Sequence, residues 1–265
     1  VVKDGKEKGG FRLLMSPWTE SHSELEIIHK LRDGARLTYA KVEFSPPDLM
    51  TADKVETYKL KIDEERTPDW FDDEMKERVT AKVSAYIKTI IVTGDVQLLI
   101  GGQFIIAAGA KVECANNMVI NALIGGTVND IRGGTVNYIR GGTVNYIRGG
   151  TVNYIRGGTV NDIRGGTVND IRGGTVNYIR GGTVNYIRGG TVNDIRGGTV
   201  NDIRGGTVND IRGGTVNYIR GGTVNDIRGG TVNDIRGGTI KTVQNIWDLV
   251  IKTISKSVKI LDDKR

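Results

Sequence analysis

The chain has one cysteine, two histidines and no apolar run long enough to cross a bilayer. Each scarcity closes a class of function. A single thiol, Cys114, cannot build an internal disulfide framework, and it reads as a small buried hydrophobe rather than a nucleophile. His22 and His29 stand seven residues apart, and two imidazoles alone make a poor metal site. The apolar stretch at residues 98–110 contains Gly101 and Gly102 and falls short of a membrane span. The opening Val-Val-Lys-Asp-Gly-Lys carries no signal-peptide pattern, although the absence of an initial Met leaves an earlier, removed leader open. Together these features favour a cytoplasmic or virion-associated protein with no membrane span. No glycine pair is followed by Lys-Ser or Lys-Thr, so there is no phosphate loop.

Glycine is what the chain has in excess, with 38 residues, and the reason is a repeat. From Gly125 to Arg236 the octet Gly-Gly-Thr-Val-Asn-x-Ile-Arg recurs fourteen times without a break. Only x varies. It is Tyr at 138, 146, 154, 178, 186 and 218, and Asp at 130, 162, 170, 194, 202, 210, 226 and 234. Worn octets precede the array, with Val112 in the Val place and Ile120, Asn121 and Leu123 in the Val, Asn and Ile places; Gly94, Val96 and Leu99 also fit. Gly237-Gly238-Thr239-Ile240 opens a further unit, so the array covers about residues 93–244. The charge follows the repeat. Taking its fourteen Arg from 37 basic residues and its eight Asp from 31 acidic ones leaves 23 of each, so the whole net charge of +6 belongs to the octets.

A glycine pair every eight residues would cost a helix roughly 2 kcal/mol per unit. Two β-branched apolar residues always in phase argue equally against disorder. A right-handed β-solenoid satisfies both facts. Val and Ile point in, Thr and Arg point out, and Gly-Gly supplies a corner where positive φ is free of cost. The Asn-x step supplies another corner, since Asn tolerates the left-handed region. Two octets would close a coil of 16 residues; three would close a triangular one of 24. Octets two apart share the same x in only 3 of 12 comparisons. That favours the 16-residue coil, which keeps Asp from stacking on Asp.

Residues 1–92 have a different texture and read as a small α+β domain. A short helix is predicted at 23–31, with strands at 37–44 and 55–62. A capping helix is predicted at about 68–88, with Thr67 as N-cap and Pro68 in the first turn. Phe71, Met75, Val79, Val83 and Ile87 form its apolar stripe. This helix would cover the first coil, because solenoid ends expose apolar side chains and unpaired backbone. Residues 245–265 form the opposite cap, either a helix or degenerate coils.

The octets resemble the Gly-Gly-Thr-Val and Ser-Ala-Thr-Val units of octapeptide-repeat β-solenoid proteins of phage, prophage and gut-bacterial type. The segment Lys61-Ile62-Asp63-Glu64-Glu65-Arg66-Thr67-Pro68-Asp69-Trp70-Phe71 is similar to a stretch before the repeats in such proteins, and Ser21-His22-Ser23-Glu24 to one nearer their start. The resemblance implies a phage setting and a solenoid. It implies no activity, cofactor or catalytic residue. The period and Thr ladders are also similar to the 16-residue coils of ice-nucleation proteins.

An enzyme needs unlike groups converging in a pocket, whereas this repeat gives like groups in long rows. The reading is therefore a non-enzymatic structural or interaction protein without cofactor or metal. Its candidate binding surface is Tyr138, Tyr146, Tyr154, Tyr178, Tyr186 and Tyr218 with Arg140, Arg148, Arg156, Arg180, Arg188 and Arg220. The Tyr row suits a glycan or protein partner, or self-association, but could instead stack between coils. The Arg row could track an anionic polymer, a nucleic acid or an acidic polysaccharide, but could instead be a solvated face that pairs with Tyr and Asp. The Asn row reads as an internal amide ladder. The outward Thr row, with Asn, leaves ice binding as a further alternative.

Overall fold

The computed structural model describes residues 1–3, 10–14, 39–63 and 67–264, with backbone only at 49, 246 and 247. The predicted helix at 23–31 and both histidines lie outside these residues. The chain divides into two compact units, 1–91 and 92–265.

In the first unit, Val2–Lys3 pairs antiparallel with Phe11–Arg12, and Val42–Ser45 with Lys59–Ile62. A 3-10 turn, Val55–Thr57, replaces the first half of the second predicted strand, and another, Leu49–Thr51, precedes it. The helix runs from Asp73 to Ile90 and starts five residues after Pro68. Its cap is Asp72, whose carboxylate accepts from Met75 N at 2.8 Å, and not Thr67. Pro68 instead opens a turn, its carbonyl accepting from Phe71 N. The acidic run decides the start. Asp72 caps, while Asp73 and Glu74 lie in the first turn, where they oppose the helix dipole. Phe71, just before the cap, packs with Met75, Val79 and Ala40 into a small core.

The second unit is the predicted β-solenoid. Parallel strands stack in about 11 turns of roughly 16 residues. Every strand of the perfect array pairs in register with the strand sixteen residues away: Val144 opposite Val160, Ile147 opposite Ile163, Thr143 opposite Thr159. Odd and even octets thus form two separate ladders, one on each side of the coil. Each coil contributes two Val and two Ile to the interior, and from Val144 to Ile235 all are fully buried. At roughly 1.5–3 kcal/mol per buried side chain, these rows hold the stack together.

Outward and inward residues alternate through Thr, Val and Asn. The next residue, x, also faces out, and Ile faces in. The chain therefore turns a corner between Asn and x, as expected, but without left-handed backbone: only Asn117 and Asp248 among described non-glycine residues have positive φ. The other corner is Gly-Gly. Its second glycine has φ near +70°, at Gly166 for example +71°. Its first glycine has an ordinary φ and is required for a different reason. A Cβ on Gly165 would stand 2.3 Å from the Arg148 carbonyl of the coil below. That approach lets the Ile147 carbonyl accept from both Arg164 N and Gly165 N, at 2.8 and 3.2 Å.

Coiling extends past the readable repeat. Of the two forms left open for residues 245–265, degenerate coils hold and the helix does not: Thr239–Ile254 and Lys259–Lys264 are strands that continue the stack, with a turn between them. The spacing of partners lengthens there, with Thr231 opposite Val250 and Thr239 opposite Lys259. Upstream, Asp95–Ile100 pairs with Lys111–Asn116, which places Val96 and Leu99 where the worn pattern put them.

Candidate binding surface

Two outward-facing rows of each ladder carry chemistry, Asn and the x/Arg pair. The Asn side chains form a directed chain of hydrogen bonds. Each Nδ2 donates to the Oδ1 sixteen residues earlier, as Asn177 does to Asn161 and Asn193 to Asn177, both at 2.7 Å. At the N-terminal end the chains finish on Glu113, which accepts from Asn129, and Gln103, which accepts from Asn121. At the other end the Oδ1 atoms of Asn225 and Asn233 are buried without a hydrogen-bond partner. The predicted amide ladder is therefore present, but it lies half-buried on the outward side of both ladders and not inside the coil.

The x and Arg rows interlock. Stacking by sixteens gives, on one ladder, the order Asp130, Tyr146, Asp162, Tyr178, Asp194, Asp210, Asp226; on the other it is Tyr138, Tyr154, Asp170, Tyr186, Asp202, Tyr218, Asp234. From Arg148 on, each Arg reaches the x residue of its own octet and that of the coil below. Arg164 bonds Asp162 at 2.7 Å and lies over the Tyr146 ring at 4.4 Å. Arg188 bonds Asp170 at 2.9 Å and lies over Tyr186 at 4.5 Å. Most Asp side chains accordingly bridge two arginines, Asp170 taking Arg172 and Arg188, and Asp202 taking Arg204 and Arg220. These hydrogen bonds push the Arg164, Arg172, Arg204, Arg212 and Arg236 guanidiniums further above their ordinary pKa.

Tyrosine also shields the carboxylates. Asp162, Asp170 and Asp202, each with Tyr on both neighbouring coils, have side chains 4–5% exposed. Asp210 and Asp226 have no Tyr on either neighbour, and their side chains are 17% and 24% exposed.

All twelve candidate residues fall on the x/Arg rows, but they do not form an open platform. The faces of Tyr138, Tyr146, Tyr154, Tyr178, Tyr186 and Tyr218 are met by Arg140, Arg148, Arg156, Arg180, Arg188 and Arg220 of their own octets. A second Arg one coil on reaches each ring: Arg156 for Tyr138, Arg164 for Tyr146, Arg172 for Tyr154, Arg196 for Tyr178, Arg204 for Tyr186 and Arg236 for Tyr218. Those in Asp octets are absent from the sequence-based candidates, although the alternation of x by sixteens signals them. Tyr–Tyr stacking occurs once among described residues, between Tyr138 and Tyr154 at 5.3 Å and 12°.

Other features are plain. Cys114 is half-buried rather than buried, at the x place below Asp130. Among the described residues no group of three or more His, Cys, Asp or Glu could hold a metal, and no helix is long and apolar enough to cross a membrane. A shallow depression of about 330 Å³ lies beside Gln97, Lys111, Glu113 and Asn129 on the worn coils. No protein-family model, curated protein or solved structure matches this chain.

Proposed function

We propose that this protein is a non-enzymatic structural or interaction element whose solenoid serves as a rigid rod of adjustable length. One observation carries the reading: the Asn, Arg and x side chains of the octet engage the coils above and below. Asn bonds Asn, Arg bonds Asp, and Arg covers Tyr on neighbouring turns. Such axial pairing stiffens a stack, and near-identical units can be added or lost while each coil still finds its complement. The resemblance to phage octapeptide-repeat proteins fits a virion or host-surface spacer.

The test is to add or remove pairs of octets and measure the longest dimension by small-angle scattering. Each pair should change it by about 4.8 Å. A dimension independent of octet number would overturn the rod.

A second reading is a binding module for an anionic polymer. It is favoured by the location of all six excess positive charges in the octets and by guanidinium-bearing side chains that stay 28–61% exposed despite their ion pairs. Binding across an array of DNA, RNA and glycans at low and physiological salt separates the two. Uniform, salt-sensitive binding to every polyanion would promote the second reading.

A further inference from the structure

The x/Arg pattern has one break. On the ladder from Tyr138 to Asp234, seven Arg face three Asp; on the other, seven face five. The difference is concentrated in the first two coils of the former. Every other Arg from Arg148 to Arg236 meets an Asp in its own octet or in the octet before it on the ladder; at Arg156 both x residues are tyrosines, Tyr154 and Tyr138. The nearest Asp on this row is Asp170, already bound by Arg172 and Arg188. Arg156 is exposed, and its contacts are the rings of Tyr138 and Tyr154, at 5.0 and 5.2 Å. Neither tyrosine's phenolic hydroxyl bonds a described residue, so both can donate.

We infer that Tyr138, Tyr154 and Arg156, flanked by Arg140 and Arg172, form a local binding patch on the rod for an acidic polysaccharide. The chemistry selects that class over single-stranded nucleic acid. Base recognition without pairing relies on open aromatic faces, and here guanidiniums occupy the ring faces. A sulfate or carboxylate on a sugar needs charge-assisted donors, which Arg156 provides, and neighbouring sugar hydroxyls can take the two phenols. Elsewhere on the rows the Asp between arginines would repel the same group.

The test uses the full chain with a sulfated heparin-type octasaccharide and an oligodeoxythymidine as probes, by titration calorimetry at physiological salt. Tyr154→Asp restores the charge pattern of the rest of the ladder, and the Asp–Tyr and Asp–Asp stacks it creates already occur at other coils. It should weaken octasaccharide binding about tenfold, the loss of one charge-assisted contact. Tyr218→Asp, which makes the same charge change on the same row four coils away, should leave binding unchanged. Arg156→Gln removes the charge while keeping both tyrosines and should match Tyr154→Asp, which guards against a folding artefact. Absence of octasaccharide binding, equal loss in Tyr154→Asp and Tyr218→Asp, or tighter binding of the oligodeoxythymidine would each overturn the assignment. Rod length is read separately, so failure here leaves the rod standing.

Discussion

Three glycines separate the two reasons for the Gly-Gly corner. Gly109 has φ of +84°, and a Cβ added there would have nothing within 4 Å, so Gly109→Ala tests backbone strain alone. Left-handed backbone costs a residue with a Cβ roughly 1–2 kcal/mol. Gly165 has an ordinary φ, but its Cβ would meet the Arg148 carbonyl oxygen at 2.3 Å. That carbonyl belongs to a packed coil, so Gly165→Ala should cost roughly 1–3 kcal/mol as overpacking. Gly166 carries both burdens, with φ of +71° and its Cβ 2.5 Å from the Gly150 carbonyl oxygen. Gly166→Ala should therefore cost about the sum, roughly 2–5 kcal/mol. Guanidinium denaturation followed by circular dichroism gives the three values from shifts in midpoint. Should Gly165→Ala prove harmless while Gly109→Ala and Gly166→Ala cost the same, coil-to-coil contact would not constrain the corner, and the explanation of the first glycine would be wrong.

The remaining predictions concern the rows. Val168 is fully buried, so Val168→Asp should break the stack locally at a cost of several kcal/mol; an unchanged melting curve would refute the inward assignment. Asn177 takes part in two ladder bonds, to Asn161 and from Asn193, whereas Asn225 makes one, to Asn209. Asn177→Ala should therefore cost about 1–3 kcal/mol and more than Asn225→Ala, with equal costs arguing against a continuous ladder. The Thr253 hydroxyl, and then Arg236, hold the Asp234 carboxyl below its ordinary pKa. Because the folded value lies below the unfolded one of about 3.9, this link stabilises the fold above that pH and is lost as pH falls through the folded value. Thr253→Val should raise the Asp234 pKa seen by carboxyl-carbon NMR titration and shift the acid loss upward; an unmoved titration would discount the hydroxyl.

Much of the solenoid is legible in the sequence because its rules are local and periodic. Val and Ile in phase mark the interior, and the alternation of Tyr and Asp by sixteens marks the coil size. What escapes depends on contacts between turns. The first glycine of each pair is required by a carbonyl on another coil, which no dihedral argument reveals. Arg164, Arg172, Arg196, Arg204 and Arg236 look like partners of Asp alone until stacking sets Tyr against them. The final strands stay undecided between helix and coil in the sequence because spacing stretches beyond sixteen there, so Ile251 and Ile254 lose the repeat's phase while keeping its pairing. The helix start is ambiguous in sequence because Thr67-Pro68 and Asp72 are both competent caps, and the acids following Asp72 decide between them.

The Asn chains bear on how the solenoid is assembled. Their polarity runs one way: each later Asn donates to an earlier one, and the unfilled acceptors stand on Asn225 and Asn233. A nascent chain emerges in the same order. Every coil leaving the ribosome therefore brings its donors to acceptors that are already fixed, and presents a fresh pair of acceptors to the coil that follows. Synthesis and stacking share a direction, so each completed turn offers its Asn acceptors to the turn made next.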